Sequence, residues 1–103
     1  ILVAKANGET VGCVAVRPLG EEICEMKRLY VKPAHRGKRL GLELALAIIE
    51  EAKRLGYKAM RLDTVVQMKE ASALYRTLGF QPIDAYCYNP LPGAMYFELK
   101  LRE

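Results

Sequence analysis

The spacing of apolar and polar residues changes several times along the chain, and each change marks an element. Residues 1–6 are short and apolar and run into Asn7-Gly8, a strong signal for a type I′ hairpin turn. Val11 to Arg17 reads as the partner strand, closed by Pro18 and a turn at Gly20. Ile23 to Val31 is a third strand, and unbroken alternation would put Ile23, Glu25, Lys27, Leu29 and Val31 on one face. After Pro33 the period lengthens. Leu40, Leu44, Ile48, Ala52 and Leu55 recur at helical spacing, Glu50 and Arg54 form an offset i,i+4 pair, and Gly56 supplies a C′ stop. Ala59 to Val65 is strand-like, and its arrival after one helix predicts a parallel βαβ crossover. Ala71, Leu74, Tyr75 and Leu78 give a shorter helix ended by Gly79. Two strands close the chain, Gln81 to Cys87 and Ala94 to Leu101; in the second, Met95, Phe97, Leu99 and Leu101 alternate with Tyr96, Glu98 and Lys100. The order βββ-α-β-α-ββ predicts an α/β (α+β) fold, a mixed, mostly antiparallel sheet with helices packed on it.

Composition narrows the class. A chain of 103 residues is expected to form one domain, residues 1–103, with a small core. With 51% hydrophobic and 27% charged residues it is an ordinary globular sequence and not a disordered one. No apolar run reaches membrane-spanning length, and the first residues lack a signal-peptide pattern, so a cytoplasmic setting without membrane is expected. Cys13, Cys24 and Cys87 are odd in number and irregular in spacing, which suits packed thiols in a reducing compartment. Neither they nor His35 show zinc-ligand spacing, and no metal is expected.

The net charge of +4 favours an anionic partner in general. More telling is that Lys32, Arg36, Lys38 and Arg39 fall within a few residues of each other. His35-Arg36-Gly37-Lys38-Arg39-Leu40-Gly41 sits where a strand hands over to a helix. Backbone N–H groups at a helix start, with the helix dipole, attract an anion, and glycine lets a phosphate approach closely. The spacing is neither that of a P-loop nor of a dinucleotide fingerprint. Taken alone, the loop is equally readable as a solvated basic turn. A nucleic-acid partner is the remote alternative, because no aromatic residues interleave with the cluster and no nucleic-acid motif is present.

The surroundings of the loop decide between these readings. The stretch from Glu25 through Lys32-Pro33-Ala34-His35-Arg36-Gly37-Lys38-Arg39-Leu40-Gly41 closely resembles the core motif of the GNAT acetyltransferases, and Ala71-Ser72-Ala73-Leu74-Tyr75-Arg76-Thr77-Leu78-Gly79-Phe80 resembles their second motif. The resemblance implies an acetyl-coenzyme A-dependent N-acetyltransferase that moves an acetyl group to a primary amine of a small molecule or peptide by direct transfer. The alternative is a coenzyme A-binding module without activity. It implies that the backbone of Arg36, Gly37, Lys38, Arg39, Leu40 and Gly41 holds the pyrophosphate, that Leu29, Tyr30 and Val31 act through their backbones on the pantetheine arm and acetyl oxygen, and that Ala71 and Leu74 border the coenzyme.

Two residues carry the implied chemistry. Tyr75 would protonate the departing thiolate; otherwise it is an ordinary tyrosine of an amphipathic helix. Glu25 would be the general base, helped by a raised pKa; otherwise it is a salt-bridged glutamate beside Lys27 or Arg28. Without an acyl-enzyme, Cys24 is read as a packed thiol. The loop from Tyr86 to Gly93 either borders the acceptor site or is a rigid turn. Against the family pattern, Arg39 stands where the loop usually carries its first glycine, Met68 where many relatives have asparagine, and the strand and helices that precede the hairpin are expected to be missing. An uncovered sheet edge then predicts a homodimer.

Overall fold

The computed structural model describes residues 2–6, 8–35, 39–65 and 68–101. Among these the elements are β1 (Leu2–Ala6), β2 (Glu9–Pro18), β3 (Ile23–Val31), a 3-10 turn (Pro33–His35), α1 (Leu40–Arg54), β4 (Ala59–Val65), α2 (Lys69–Thr77), β5 (Gln81–Ile83) and β6 (Ala94–Lys100). The strands lie in the order β1-β2-β3-β4-β6-β5. Neighbours are antiparallel except β3 and β4, the parallel pair joined through α1. This is the mixed, mostly antiparallel sheet with a βαβ crossover that the alternation predicts. Ala6 pairs with Glu9, which leaves a two-residue turn; Gly8 takes φ +80°, and Asn7 lies outside the described residues.

Register sorts the residues of the sheet onto two faces. Cys24, Met26, Met60, Leu62 and Phe97 face the helices and are buried with Leu44, Ala45, Ile48, Ile49 and Ala52 of α1. The other face is charged. Arg17, Glu25, Arg61 and Glu98 stand opposite one another in a cross-strand row of alternating sign, and Asp63 pairs with Tyr96 one step along. Such neighbours stabilise a sheet by direct side-chain contact. Arg17 Nε donates to Glu25 at 2.6 Å and Arg61 Nε to Glu98 at 2.8 Å.

One irregularity positions everything that follows. Cys13 lies opposite Tyr30 but Ala15 lies opposite Lys27, so β3 carries an extra residue between them, a β-bulge. The unbroken alternation expected for Ile23 to Val31 therefore does not hold. Glu25 faces the charged side, whereas Leu29 and Val31 pack toward the helices. Gly12 sits opposite Val31, and a Cβ there would meet the Tyr30 carbonyl oxygen at 2.9 Å and Leu44 Cδ1 at 3.0 Å. Only glycine lets α1 approach the sheet this closely.

Both helices end by the same device. Gly56 (φ +94°) donates to Lys53 and Tyr57 to Ala52; Gly79 (φ +99°) donates to Arg76 and Phe80 to Tyr75. These are Schellman closures, and the second seats Phe80 in the core 5.7 Å from the Tyr75 ring. Four expectations are corrected. Leu55 is exposed past the end of α1, and Arg54 pairs with Glu51 at i,i+3 rather than with Glu50. The strand expected from Gln81 to Cys87 stops at Ile83. Pro82 lacks an N–H for a ladder, and the chain beyond leaves the sheet to bring Tyr86 onto Glu25 and the Cys87 carbonyl onto the Tyr96 hydroxyl. The final strand ends at Lys100, one residue short of Leu101, which is buried and donates to Lys58. Among the described residues, no helix is long and apolar enough to cross a membrane.

Candidate active site

The parallel ladder between β3 and β4 runs only from Ile23/Ala59 to Glu25/Arg61. Beyond that point the bulged β3 and β4 part company, and two connected openings form. On the helix side, a groove of about 750 Å³ lies between the end of β3, the start of α1 and the start of α2. Between the parted strands lies a slot of about 270 Å³. Met26, Leu62 and Tyr75 reach the slot from the helix side, and Asp63 and Lys27 reach it from the charged side, so it passes through the sheet. Leu29 and Met68 line both openings, which adjoin there.

The groove gathers the expected coenzyme contacts. Leu29, Tyr30, Val31, Arg39, Leu40, Gly41, Ala71 and Leu74 line it; Arg36, Gly37 and Lys38 lie outside the described residues. The first turns of α1 and α2 both border it, and neither N-cap residue, Arg39 or Met68, supplies a side-chain cap. Neither arginine nor methionine offers the acceptor oxygen that a cap needs, so the helix-start N–H groups depend on another acceptor. Lys69 and Glu70 also line the groove, and the sequence reading did not single them out.

Backbone geometry distinguishes the two ends of the loop. Arg39 has φ +62°, the left-handed region that glycine occupies most cheaply, at a cost of about 1 kcal/mol for other residues. Its side chain is exposed, so no packing cost is added to that backbone cost. Gly41 shows the converse. Its backbone is helical, and a Cβ on it would lie no closer than 3.9 Å to Leu74 Cδ2 and 4.0 Å to Val31 Cγ2. Neither backbone nor packing demands glycine, which costs a helix about 1 kcal/mol relative to alanine. The space above it opens on the groove.

Tyr75 is buried, packs against Phe80 and Phe97, and lines the slot. Burial, then the charge of Asp63, raises its pKa, so the phenol keeps its proton throughout the neutral range. Glu25 is in a different situation. Its side chain is fully buried, Arg17 and Tyr86 each donate to it at 2.6 Å, and Lys27 Nζ stands 3.4 Å away. Burial alone would raise its pKa, but the Tyr86 and Arg17 hydrogen bonds and the charges of Lys27 and Arg17 outweigh it, and the carboxyl sits below its usual value. That is the reverse of the raised pKa expected for a base, and Glu25 is not among the residues lining the slot.

Asp63 does line it, with Asn89 donating to Oδ2 at 3.1 Å and Lys27 3.4 Å from Oδ1. Asp63 lies outside the motifs that mark the coenzyme loop and Tyr75. Its signal lay in the alternation of β4, where Arg61 and Asp63 are the charged positions. Glu25, Asp63 and Cys87 place ligand-type atoms within 4.8 Å of one another, but the Lys27 ammonium already stands 3.4 Å from both carboxylates. Cys24 is fully buried, its thiol pKa pushed up to about 11 by burial, and it packs rather than reacts.

Comparison with known proteins bears directly on this arrangement. Residues 1–80 match the model of the acetyltransferase (GNAT) family. An uncharacterized N-acetyltransferase of Schizosaccharomyces pombe is 44% identical over 103 residues, covering 98% of this chain and 63% of its own length. The chain spans between 38% and 63% of the length of three such curated relatives. Among solved structures, a putative acyl-CoA N-acyltransferase from Klebsiella pneumoniae is 37% identical with a TM-score of 0.86, covering 94% of this chain and 68% of its own. A putative acetyltransferase from Salmonella typhimurium, solved with its cofactor acetyl-CoA, is 26% identical with a TM-score of 0.84, covering 98% of this chain and 64% of its own. By its motifs, its parted strands and these relationships, the chain belongs to the GNAT acetyltransferase family.

Proposed function

We propose that the chain is the coenzyme-binding core of an N-acetyltransferase that moves acetyl from acetyl-coenzyme A to a primary amine by direct transfer. The observation that carries this is that groove and slot adjoin: two helix starts without side-chain caps border the groove, which shares Leu29 and Met68 with the slot that a buried tyrosine lines. The helix starts suit a pyrophosphate, and the space over Gly41 admits one close to the backbone. The groove is of the size that holds a cofactor-sized ligand. Acetyl-coenzyme A found on a relative of the same fold supports the same ligand here.

In this reading the co-substrate brings an activated thioester, and the chain does the rest. The starts of α1 and α2 hold the phosphates. The bulged end of β3, Leu29 to Val31, aligns the pantetheine arm and offers a backbone donor to the acetyl oxygen. Tyr75 keeps its proton until the sulfur departs and then supplies it. Glu25 holds Arg17, Tyr86 and Lys27 in place rather than taking a proton. A homodimer remains part of the reading.

The test is Tyr75→Phe, which removes the proton and leaves the ring packing. Transfer to an amine is expected to fall about 10²-fold or more in kcat while acetyl-coenzyme A binding is retained. Wild-type rates in the variant would remove Tyr75 from the chemistry. Coenzyme binding without transfer in the wild type would instead favour the binding-module reading.

A further inference from the structure

Two carboxylates lie near the slot on its charged side, and they are not equivalent. Glu25 is sealed, with both oxygens engaged by Arg17 and Tyr86. Asp63 keeps 18% of its side chain exposed and lines the slot together with Tyr75. Its Oδ2 is oriented by Asn89, which belongs to the connection between β5 and β6. Its Oδ1 faces an ammonium already, Lys27 Nζ at 3.4 Å, which stands equally far from Glu25 on a side chain that is 36% exposed. Around this point the slot is walled by Met26, Leu29, Val65 and Leu91. A carboxylate already matched to an ammonium, bordered by apolar side chains, suits a second ammonium as its ligand.

We propose that Asp63, rather than Glu25, receives the acceptor, and that the acceptor is a primary ammonium on an apolar body entering from the charged face of the sheet. The idea rests on the acetyltransferase reading and deepens it. Asp63 binds R–NH3+ and takes one proton, leaving R–NH2. The nitrogen lone pair forms the C–N bond at the thioester carbon as the C–S bond breaks. Tyr75 gives its proton to the departing sulfur and regains one, through water, from the acylated nitrogen. Asp63 then releases its proton to solvent on its exposed side. The sum is ammonium plus thioester giving amide, thiol and one proton.

The first arm of the test needs no turnover. Phenethylammonium chloride is titrated into the ¹⁵N-labelled chain, and amide shifts are expected at Lys27, Asp63 and Asn89. Asp63→Asn should weaken this binding about tenfold or more, and Glu25→Gln by less than about threefold. Lys27→Met removes the resident ammonium and should tighten it. Shifts elsewhere, loss with Glu25→Gln but not Asp63→Asn, or unchanged or weaker binding in Lys27→Met overturns the proposal.

The second arm measures kcat/KM for phenethylamine against pH. Asp63→Asn should lose about 10²-fold near neutrality, and the deficit should shrink as rising pH deprotonates the amine by itself. An equal deficit at every pH would mark Asp63 as structural and overturn the proposal. Acetyl-coenzyme A should still raise the melting temperature of Asp63→Asn. Failure of the coenzyme to bind the wild type would sink the acetyltransferase reading, while the ammonium titration would still judge Asp63.

Discussion

Glu25 is fully buried and still charged, because Tyr86, Arg17 and Lys27 replace the water it has lost. The pH dependence follows from the direction of its shift. A carboxyl whose folded pKa lies below its unfolded value adds stability above the unfolded pKa of 4.5, and that stability is lost as pH falls through the lower folded value. Glu25→Gln keeps an acceptor for Tyr86 but forfeits the charge. Arg17 is 59% exposed and can return to water, so the cost at neutral pH is expected near the low end for charged hydrogen bonds, about 1–2 kcal/mol. Urea unfolding at neutral pH and again well below pH 4.5 should show the gap between variant and wild type closing in acid; a constant gap would contradict this account. At this scale the sequence was partly legible. Tyr75 stands out through its motif, and Cys24 was read as a packed thiol because direct transfer needs no acyl-enzyme. The environment of Glu25 was not, since Arg17 and Tyr86 come to it from eight and 61 residues away.

Strand limits were readable wherever glycine, proline and alternation agreed. Ile23–Val31 and Ala59–Val65 fall where the pattern puts them. The bulge in β3 was not readable, because one inserted residue changes neither composition nor length, yet it decides which side chains see the groove. The short β5 was hidden for a related reason. Tyr86 and Cys87 have strand-like composition, but Tyr86 is drawn off by the hydrogen bond to Glu25. The close seating of α1 on the sheet leads to a prediction at this scale. Gly12→Ala would push a methyl group against the Tyr30 carbonyl and Leu44, and overpacking of this kind costs about 1–3 kcal/mol. A lower urea midpoint with an unchanged m-value is the expected result. No change in midpoint would show that α1 can move aside without cost.

Across the whole molecule, one face carries the apolar core under two helices and the other a row of alternating charges. The slot between β3 and β4 joins them, so the coenzyme and its acceptor would meet from opposite sides of one sheet. The sequence motifs pointed to the coenzyme side because a helix-start loop is local. The proposed acceptor side would be assembled from β3, β4 and the β5–β6 connection, which meet at Asp63, and no local pattern announces it.

A thermal melt shows whether the groove holds acetyl-coenzyme A against the start of α1. At about a hundredfold excess over its dissociation constant, the coenzyme should add about 2.7 kcal/mol, a rise of roughly ten degrees for a domain this small. Gly41→Glu, which puts a carboxylate into the groove without a clash near its Cβ, should fold and abolish the rise. A folded wild type that shows no shift, or a shift that survives Gly41→Glu unchanged, would contradict the claim.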